Sequence, residues 1–272
     1  MKKLADIRLL NSLTVPENGF ALQYLGQAGF MLSAGAGVLC VDPYLSNSVE
    51  RLVGPEARRM WVNSFFMDEI KPDAILITHD HLDHLDPETI PVIELVNPPE
   101  KYFAPDTAIA HLKALNVREE AICRFMRNDK IVWGNMELTA VYAEHTEDSI
   151  GLVIRANGLK IYITGDTCLK DELINPETLN ADVVISCVNG IDENLNPDQA
   201  ALLTEKLGAK ILIPMHYGLL PCSTVSQKAV DDAAKKRGIT LLTLKNEQAV
   251  MLKASGDKID VSFPELIKEE KE

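Results

Sequence analysis

The sequence predicts an α/β (α+β) fold, a four-layer αββα sandwich in which two mixed sheets pack face to face between outer helices. Three observations predict it. Along the 272 residues, a block of strand-like segments gives way to strand–helix alternation twice, so each half can bury both faces of its sheet only by packing on the other half and under helices. Glycine-rich and Asn-Gly turns join successive strand-like segments as hairpins. Seven side chains of metal-ligating type stand at four separate places, each where an apolar run stops. Ligands so far apart in sequence meet only if sheets bring them to a common edge.

The first strands are Phe20 to Leu25, Gly29 to Ser33 and Val38 to Asp42, joined at Gly26-Gln27-Ala28-Gly29 and Gly35-Ala36-Gly37 as an antiparallel meander. Residues 46–70 have mixed polarity, Phe65, Phe66 and the basic cluster Arg51, Arg58, Arg59, and read as an irregular, partly helical, lid-like excursion. A strand over Asp73 to Thr78 follows. Asp86-Pro87-Glu88 then opens a helix, with Asp86 as N-cap and Pro87 at the first position. Lys101 to Ala104 and Asp106 to Leu115 repeat strand and helix. The second half starts with strands Asp129 to Trp133 and Met136 to Ala143 and a hairpin, Ile150 to Arg155 with Lys160 to Thr164, turning at Asn157-Gly158. Asp182 to Val188, helix Pro197 to Leu207, Lys210 to Met215, helix Val225 to Gly238, Thr240 to Leu244 and Ala249 to Lys253 complete it. We expect a single domain over 1–272, with a frayed, charged tail at 265–272.

With 46% hydrophobic residues the chain has enough apolar surface for a large core. No apolar stretch reaches the roughly 20 residues that span a bilayer, and Asp6, Arg8 and Asn11 break the first segment as a signal-peptide core, so a soluble cytoplasmic protein is expected. The five cysteines are odd in number and scattered, which predicts buried reduced thiols rather than a disulfide framework. A formal charge of −13 repels a phosphate backbone. The basic run Lys235-Lys236-Arg237 suits the last turn of a helix. The expected partner is a small-molecule substrate, with no nucleic acid and no membrane; the oligomeric state is open, a homo-oligomer included.

The ligand-type side chains are the cluster His79, His81, Asp83, His84, then His145, Asp166 and His216, which use five of the six histidines. The runs before them are Ala74 to Ile77, Leu138 to Ala143, Lys160 to Thr164 and Ile211 to Met215. A divalent transition metal held by imidazoles and carboxylates takes three or four donors, so seven donors can hold two. His79 and His81, two apart in a loop, can point to one ion, and Asp83 and His84 to a second. His145 would complete the first, His216 the second, and Asp166 could bridge both. His111 lies in a helical pattern and reads as a surface residue.

The order His79-x-His81-x-Asp83-His84, a lone histidine, Gly165-Asp166-Thr167 and Pro214-Met215-His216-Tyr217-Gly218 resembles the metallo-β-lactamase superfamily. The resemblance spans Phe20 to about Gly218. Within that superfamily, Tyr24-Leu25-Gly26, Asp42-Pro43, Thr78 to His84, Thr164-Gly165-Asp166-Thr167 and Ile213-Pro214-Met215-His216 are most similar to the L-ascorbate-6-phosphate lactonase-like branch. The resemblance implies one metal on His79, His81 and His145, the other on Asp83, His84 and His216, and Asp166 between them. It also implies that Asp42 orients a ligand from behind.

Two such cations acidify a water held between them and polarise a carbonyl or phosphoryl oxygen, so hydrolysis of a small lactone, ester or phosphodiester is expected. Asp83 is the candidate catalytic carboxylate, accepting a hydrogen bond or a proton from the attacking water. The chain lacks a Gly-x-Ser-x-Gly elbow, a Walker loop and a Gly-x-Gly-x-x-Gly turn, which leaves serine-hydrolase and nucleotide-binding readings unsupported. Cys168 reads as a small packing residue. Candidates for substrate contact are Tyr44, Asn47, Ser149, Asn189, Asn194, Tyr217 and a lid of Arg51, Arg58 and Arg59 that would receive a phosphate or carboxylate. Zinc is the first expectation for the metals, with manganese or iron as alternatives. The alternative readings of the same ligand set are a di-iron oxidoreductase and a non-catalytic metal or ligand sensor.

Overall fold

The computed structural model describes residues 11, 15 and 18–264. The chain starts with β1 (Gly19–Gly26), β2 (Gly29–Ser33) and β3 (Leu39–Val41), then helix α1 (Ser48–Leu52). Next come β4 (Ala74–Leu76), α2 (Thr89–Val96), β5 (Lys101–Ala104), α3 (Asp106–Ala114) and β6 (Ile122–Arg124). The second half has β7 (Lys130–Trp133), β8 (Met136–Tyr142), β9 (Ile150–Ala156), β10 (Leu159–Ile163) and β11 (Val183–Cys187). It ends with α4 (Pro197–Lys206), β12 (Ile211–Met215), α5 (Gln227–Lys236), β13 (Thr240–Leu241), β14 (Ala249–Ser255) and β15 (Lys258–Ser262).

These strands make an eight-stranded sheet, β15-β14-β1-β2-β3-β4-β5-β6, and a seven-stranded sheet, β13-β12-β11-β10-β9-β8-β7. Both are mixed: β1, β2 and β3 pair antiparallel and β3 to β6 parallel, while β7 to β10 pair antiparallel and β10 to β13 parallel. Period-two alternation decides which face each β1 residue serves. Phe20, Leu22 and Tyr24 point into the core between the sheets, and Ala21 and Leu25 into the outer core beneath α2 and α3, beside Ile90, Ile93, Ala108 and Leu112. Strand β11, buried at every position, lies under α4 and α5, whose Ala200, Leu203, Val230 and Ala233 join the same core. Each buried Leu, Ile or Val among these contributes roughly 1.5–3 kcal/mol, and each Ala roughly 0.8 kcal/mol. The expected αββα sandwich is the fold the chain forms.

Strand directions position the site. Because β8 and β10 both run antiparallel to β9, and β10, β11 and β12 run parallel, the carboxyl ends of β8, β10 and β12 share one edge of the second sheet. By the same logic β1, β3 and β4 end together at one edge of the first.

Several expectations are corrected. The helix expected at Asp86 begins at Thr89; the Asp86 carboxylate does accept the Glu88 amide at 3.1 Å, as a cap would, and it also accepts from Leu45 N, Ser46 N and the Ser46 hydroxyl. Strands β6 and β15 were not anticipated: β6 is three residues long, and β15 has intermediate and exposed residues only, so neither has the buried alternation that marks a strand. Of the cysteines, Cys40 and Cys187 are buried, but Cys123 and Cys168 are half-buried and Cys222 is exposed; all five are free. The tail expected to fray, 265–272, lies outside the described residues. No helix among the described residues is long and apolar enough to cross a membrane.

Candidate metal centre

The segment after β4 leaves the sheet as bends and turns over residues 78–85, closed by bonds from the amides of His84 and Leu85 to the His81 carbonyl at 3.0 and 2.8 Å. This tight turn lets four donors spaced over six residues face one space. His145 follows β8, Asp166 follows β10 and His216 follows β12. All seven meet. Ligand atoms of three overlapping groups, His79 with His81 and His145, His79 with His84 and Asp166, and Asp83 with His84 and His216, lie within 4.8 Å of one another.

His145 Nε2 is 3.1 Å from His81 Nδ1, His84 Nε2 is 2.9 Å from His216 Nε2, and Asp166 Oδ1 is 2.8 Å from His216 Nε2 and 3.5 Å from His84 Nε2. His79, His84, Asp166 and His216 are buried, while His81 is exposed and His145 and Asp83 are intermediate, so one side of the cluster opens to solvent. His79 Nε2 is buried without a hydrogen-bond partner. An orphaned imidazole nitrogen on a ring flanked by three other imidazoles is what a cation would satisfy, and the donor set of imidazoles and carboxylates suits a divalent transition metal.

The electrostatics favour ligand forms at several positions. Desolvation, and next the neighbouring His84, hold the His79 imidazole well below its usual pKa; burial also lowers His145. Burial opposes ionisation of Asp166, but His216 and His84 outweigh it and hold the carboxyl well below its usual range. Burial likewise opposes protonation of His84, yet Asp166 and Asp42 more than offset it and raise that imidazole well above its usual value.

Supporting residues fix the ligands from behind. Asp42 Oδ1 accepts the Thr78 amide at 2.8 Å, and Oδ2 accepts the Thr78 hydroxyl at 2.7 Å and faces His84 Nδ1 at 2.8 Å. That contact turns His84 Nε2 toward the cluster. Asn194 Nδ2 donates to Asp166 Oδ2 at 2.7 Å, a role different from the expected substrate contact. Arg127 donates to the carbonyls of Ala143 and Ser149 at 2.5 and 2.9 Å, bracketing the loop that holds His145. Gln27 Nε2 donates to Asp83 Oδ2 at 2.9 Å and lies 3.0 Å from His216 Nδ1. Sequence reasoning missed Gln27 and Arg127; their only sequence signal is a polar side chain near the end of an apolar strand, which most loops share.

The substrate candidates are scattered. Tyr44 is buried, with its hydroxyl unpartnered and Arg59 stacked over its ring at 5.2 Å. Arg59 donates to the Ser46 carbonyl at 2.9 Å and to Asn63 Oδ1 at 2.7 Å. Arg51 pairs with Glu88, and Arg58 is 79% exposed and 4.0 Å from Glu50. The expected arginine lid is therefore not assembled: the three guanidinium groups serve different local partners. Asn189 donates to the Ser223 hydroxyl at 2.9 Å and lies 3.5 Å from His216 Nδ1. The Tyr217 hydroxyl is bonded to Gln227 on α5. His111 is largely exposed, 3.6 Å from Asp80.

A two-sheet αββα sandwich with a histidine–aspartate cluster along one edge defines a class of metal-site folds, and comparison with known proteins places the chain within it. The sequence model described as "Beta-lactamase superfamily domain" matches residues 39–217. The chain belongs to the metallo-β-lactamase superfamily. A UPF0173 metal-dependent hydrolase of Saccharolobus solfataricus is 27% identical over 85% of this chain and 99% of its own length. Among solved structures, Igni18, a metallo hydrolase from Ignicoccus hospitalis, superposes with a TM-score of 0.70 at 18% identity over 87% of this chain and all of its own. The metallo-β-lactamase fold protein YhfI from Bacillus subtilis gives 0.65 at 17% identity over 85% of this chain and 98% of its own.

Proposed function

We propose that this protein is a binuclear metal-dependent hydrolase that cleaves a small, uncharged lactone or ester. The observation that supports it best is the convergence of two complete three-residue donor groups, joined by a group containing Asp166, around an unpartnered His79 nitrogen. His79, His81 and His145 would hold one cation, Asp83, His84 and His216 the other, with Asp166 between them. When bound, the two cations would acidify a water and draw charge from the acyl oxygen. Asp83, with Oδ2 held by Gln27, has its other oxygen left to orient that water and accept its proton. His81 and His145, on the open side, admit substrate. The engagement of Arg51 and Arg59 favours an uncharged acyl substrate over a phosphodiester, since guanidinium groups already paired with carbonyls, Asn63 and Glu88 offer no ready anion site. The names of the curated relatives support metal-dependent hydrolysis, and the lactonase-like motifs support a lactone as its substrate. Zinc suits the imidazole-rich donors, with manganese or iron as alternatives, and the free cysteines favour a reducing cytoplasmic compartment.

The test is elemental analysis followed by a panel of lactone, ester, thioester and phosphodiester substrates. Lactone or ester turnover that disappears on chelation and returns with added cation is expected, and Arg58→Ala should leave it unchanged. Protein that retains no cation, or that turns over phosphodiesters alone, would overturn the proposal.

A further inference from the structure

The geometry points to Gln27 as a positioning residue that joins Asp83 to His216 and thereby sets the affinity of the second cation position; this rests on the two-cation reading above. The two ligands come from different sheets, Asp83 from the loop after β4 and His216 from the end of β12. No backbone pairing connects them. Gln27, in the turn between β1 and β2, is fully buried and reaches both: its Nε2 donates to Asp83 Oδ2 at 2.9 Å and lies 3.0 Å from His216 Nδ1. Its main-chain carbonyl also accepts the His216 amide at 2.8 Å. One residue thus holds both the backbone and the ring of His216 while fixing the rotation of the Asp83 carboxylate.

The backbone supports a dedicated role. Gln27 has φ +52° and His216 φ +53°, left-handed conformations that side chains other than Gly and Asn seldom adopt. Glycine would be the easier residue at either position, so the side chain is what the turn retains. An amide also suits the task better than a carboxylate or an amine. It carries a donor and an acceptor at one tip, so its N–H can hold the Asp83 carboxylate, which a carboxylate side chain could not do, without adding a charge beside the cation position. Gln27 Oε1 is buried without a hydrogen-bond partner, so the amide still has an acceptor to offer beside the cation position. The side-chain hydrogen bonds of Gln27 go to Asp83 and His216 and not to His79, His81, His145 or Asp166, so its influence should be confined to one of the two positions.

The experiment is stepwise titration of the metal-free full chain with Zn2+ and with Co2+, reading calorimetric affinities and the Co2+ visible spectrum, for wild type, Gln27→Met and Gln27→Glu. Gln27→Glu keeps the size and an acceptor for His216 but has no N–H for Asp83, and it serves if the methionine variant fails to fold. The expected result is two binding steps in wild type and, in each folded variant, a loss of about 10–100-fold in one step with a changed Co2+ spectrum for that step alone. Unchanged affinities in both steps, or equal weakening of both, would overturn the role of Gln27. Fewer than two steps in wild type would instead overturn the two-cation reading.

Discussion

His84 is the most constrained side chain at the site: Asp42 faces its Nδ1, and Asp166 and His216 lie beside its Nε2. Asp42 itself has φ +45°, a conformation that costs on the order of 1–2 kcal/mol outside glycine, offset by the Thr78 amide and hydroxyl bonds and by its pairing with His84. Replacing it with asparagine keeps the volume and removes the charge that orients the ring. We expect Asp42→Asn to weaken cation binding about 10–100-fold, measured by competition with a chromophoric chelator; an unchanged affinity would show that Thr78 and the turn suffice without the carboxylate. At this scale the convergence of the histidines and aspartates was legible, since such side chains clustered at strand ends have few other uses. Apart from Asp42, the residues that hold them were not. Gln27, Arg127 and Asn194 are ordinary loop residues until folding brings them within 3 Å or so of a ligand or its loop.

Elements deliver these residues through turns with little slack. Gly165, between β10 and Asp166, has φ +63°, and a Cβ there would sit 2.7 Å from the Ile150 carbonyl oxygen. Gly165→Ala should therefore lose more than about 1 kcal/mol of stability in urea denaturation and displace Asp166, seen as weakened binding of both cations. A variant as stable as wild type would mean that the turn relaxes freely. The 46–70 excursion is indeed irregular, with α1 and two single turns, but its role differs from a lid of arginines. The Met60 amide and the Trp61 indole bind the carbonyls of Leu219 and Gly218 at 2.8 and 3.0 Å, so it braces the chain just after His216. Hairpin β9–β10 was readable from Asn157-Gly158, both at positive φ as a type I′ turn demands. Asp86 was legible only in part: a carboxylate before Pro-Glu signals the bond to the Glu88 amide, but nothing local to it signals that it also ties residues 45 and 46 to the loop after β4.

At the scale of the whole molecule, the cluster adds to the polar bonds that cross the apolar interface between the sheets, such as the Ile150 amide on the Thr78 carbonyl and Asn157 on the Gly19 carbonyl, so cation binding and stability should be coupled. A cation that binds only the folded chain stabilises it by about 2.7 kcal/mol at a free concentration of 100 Kd, which for a domain of this size is a Tm rise on the order of 5–10 °C. Calorimetry before and after chelation should show that difference, and identical melting curves would argue against tight binding. Bound cations would also offset part of the formal charge of −13. The sequence by itself determined the sandwich and the donor set, because strand alternation, turn chemistry and the tally of imidazoles and carboxylates are local properties of the chain. Only the tertiary structure decided which amides and carboxylates stand behind each donor and where the arginines go. Those pairings join residues as far apart as Gln27 and His216, and sheet order and strand direction, rather than sequence spacing, set the distance between them.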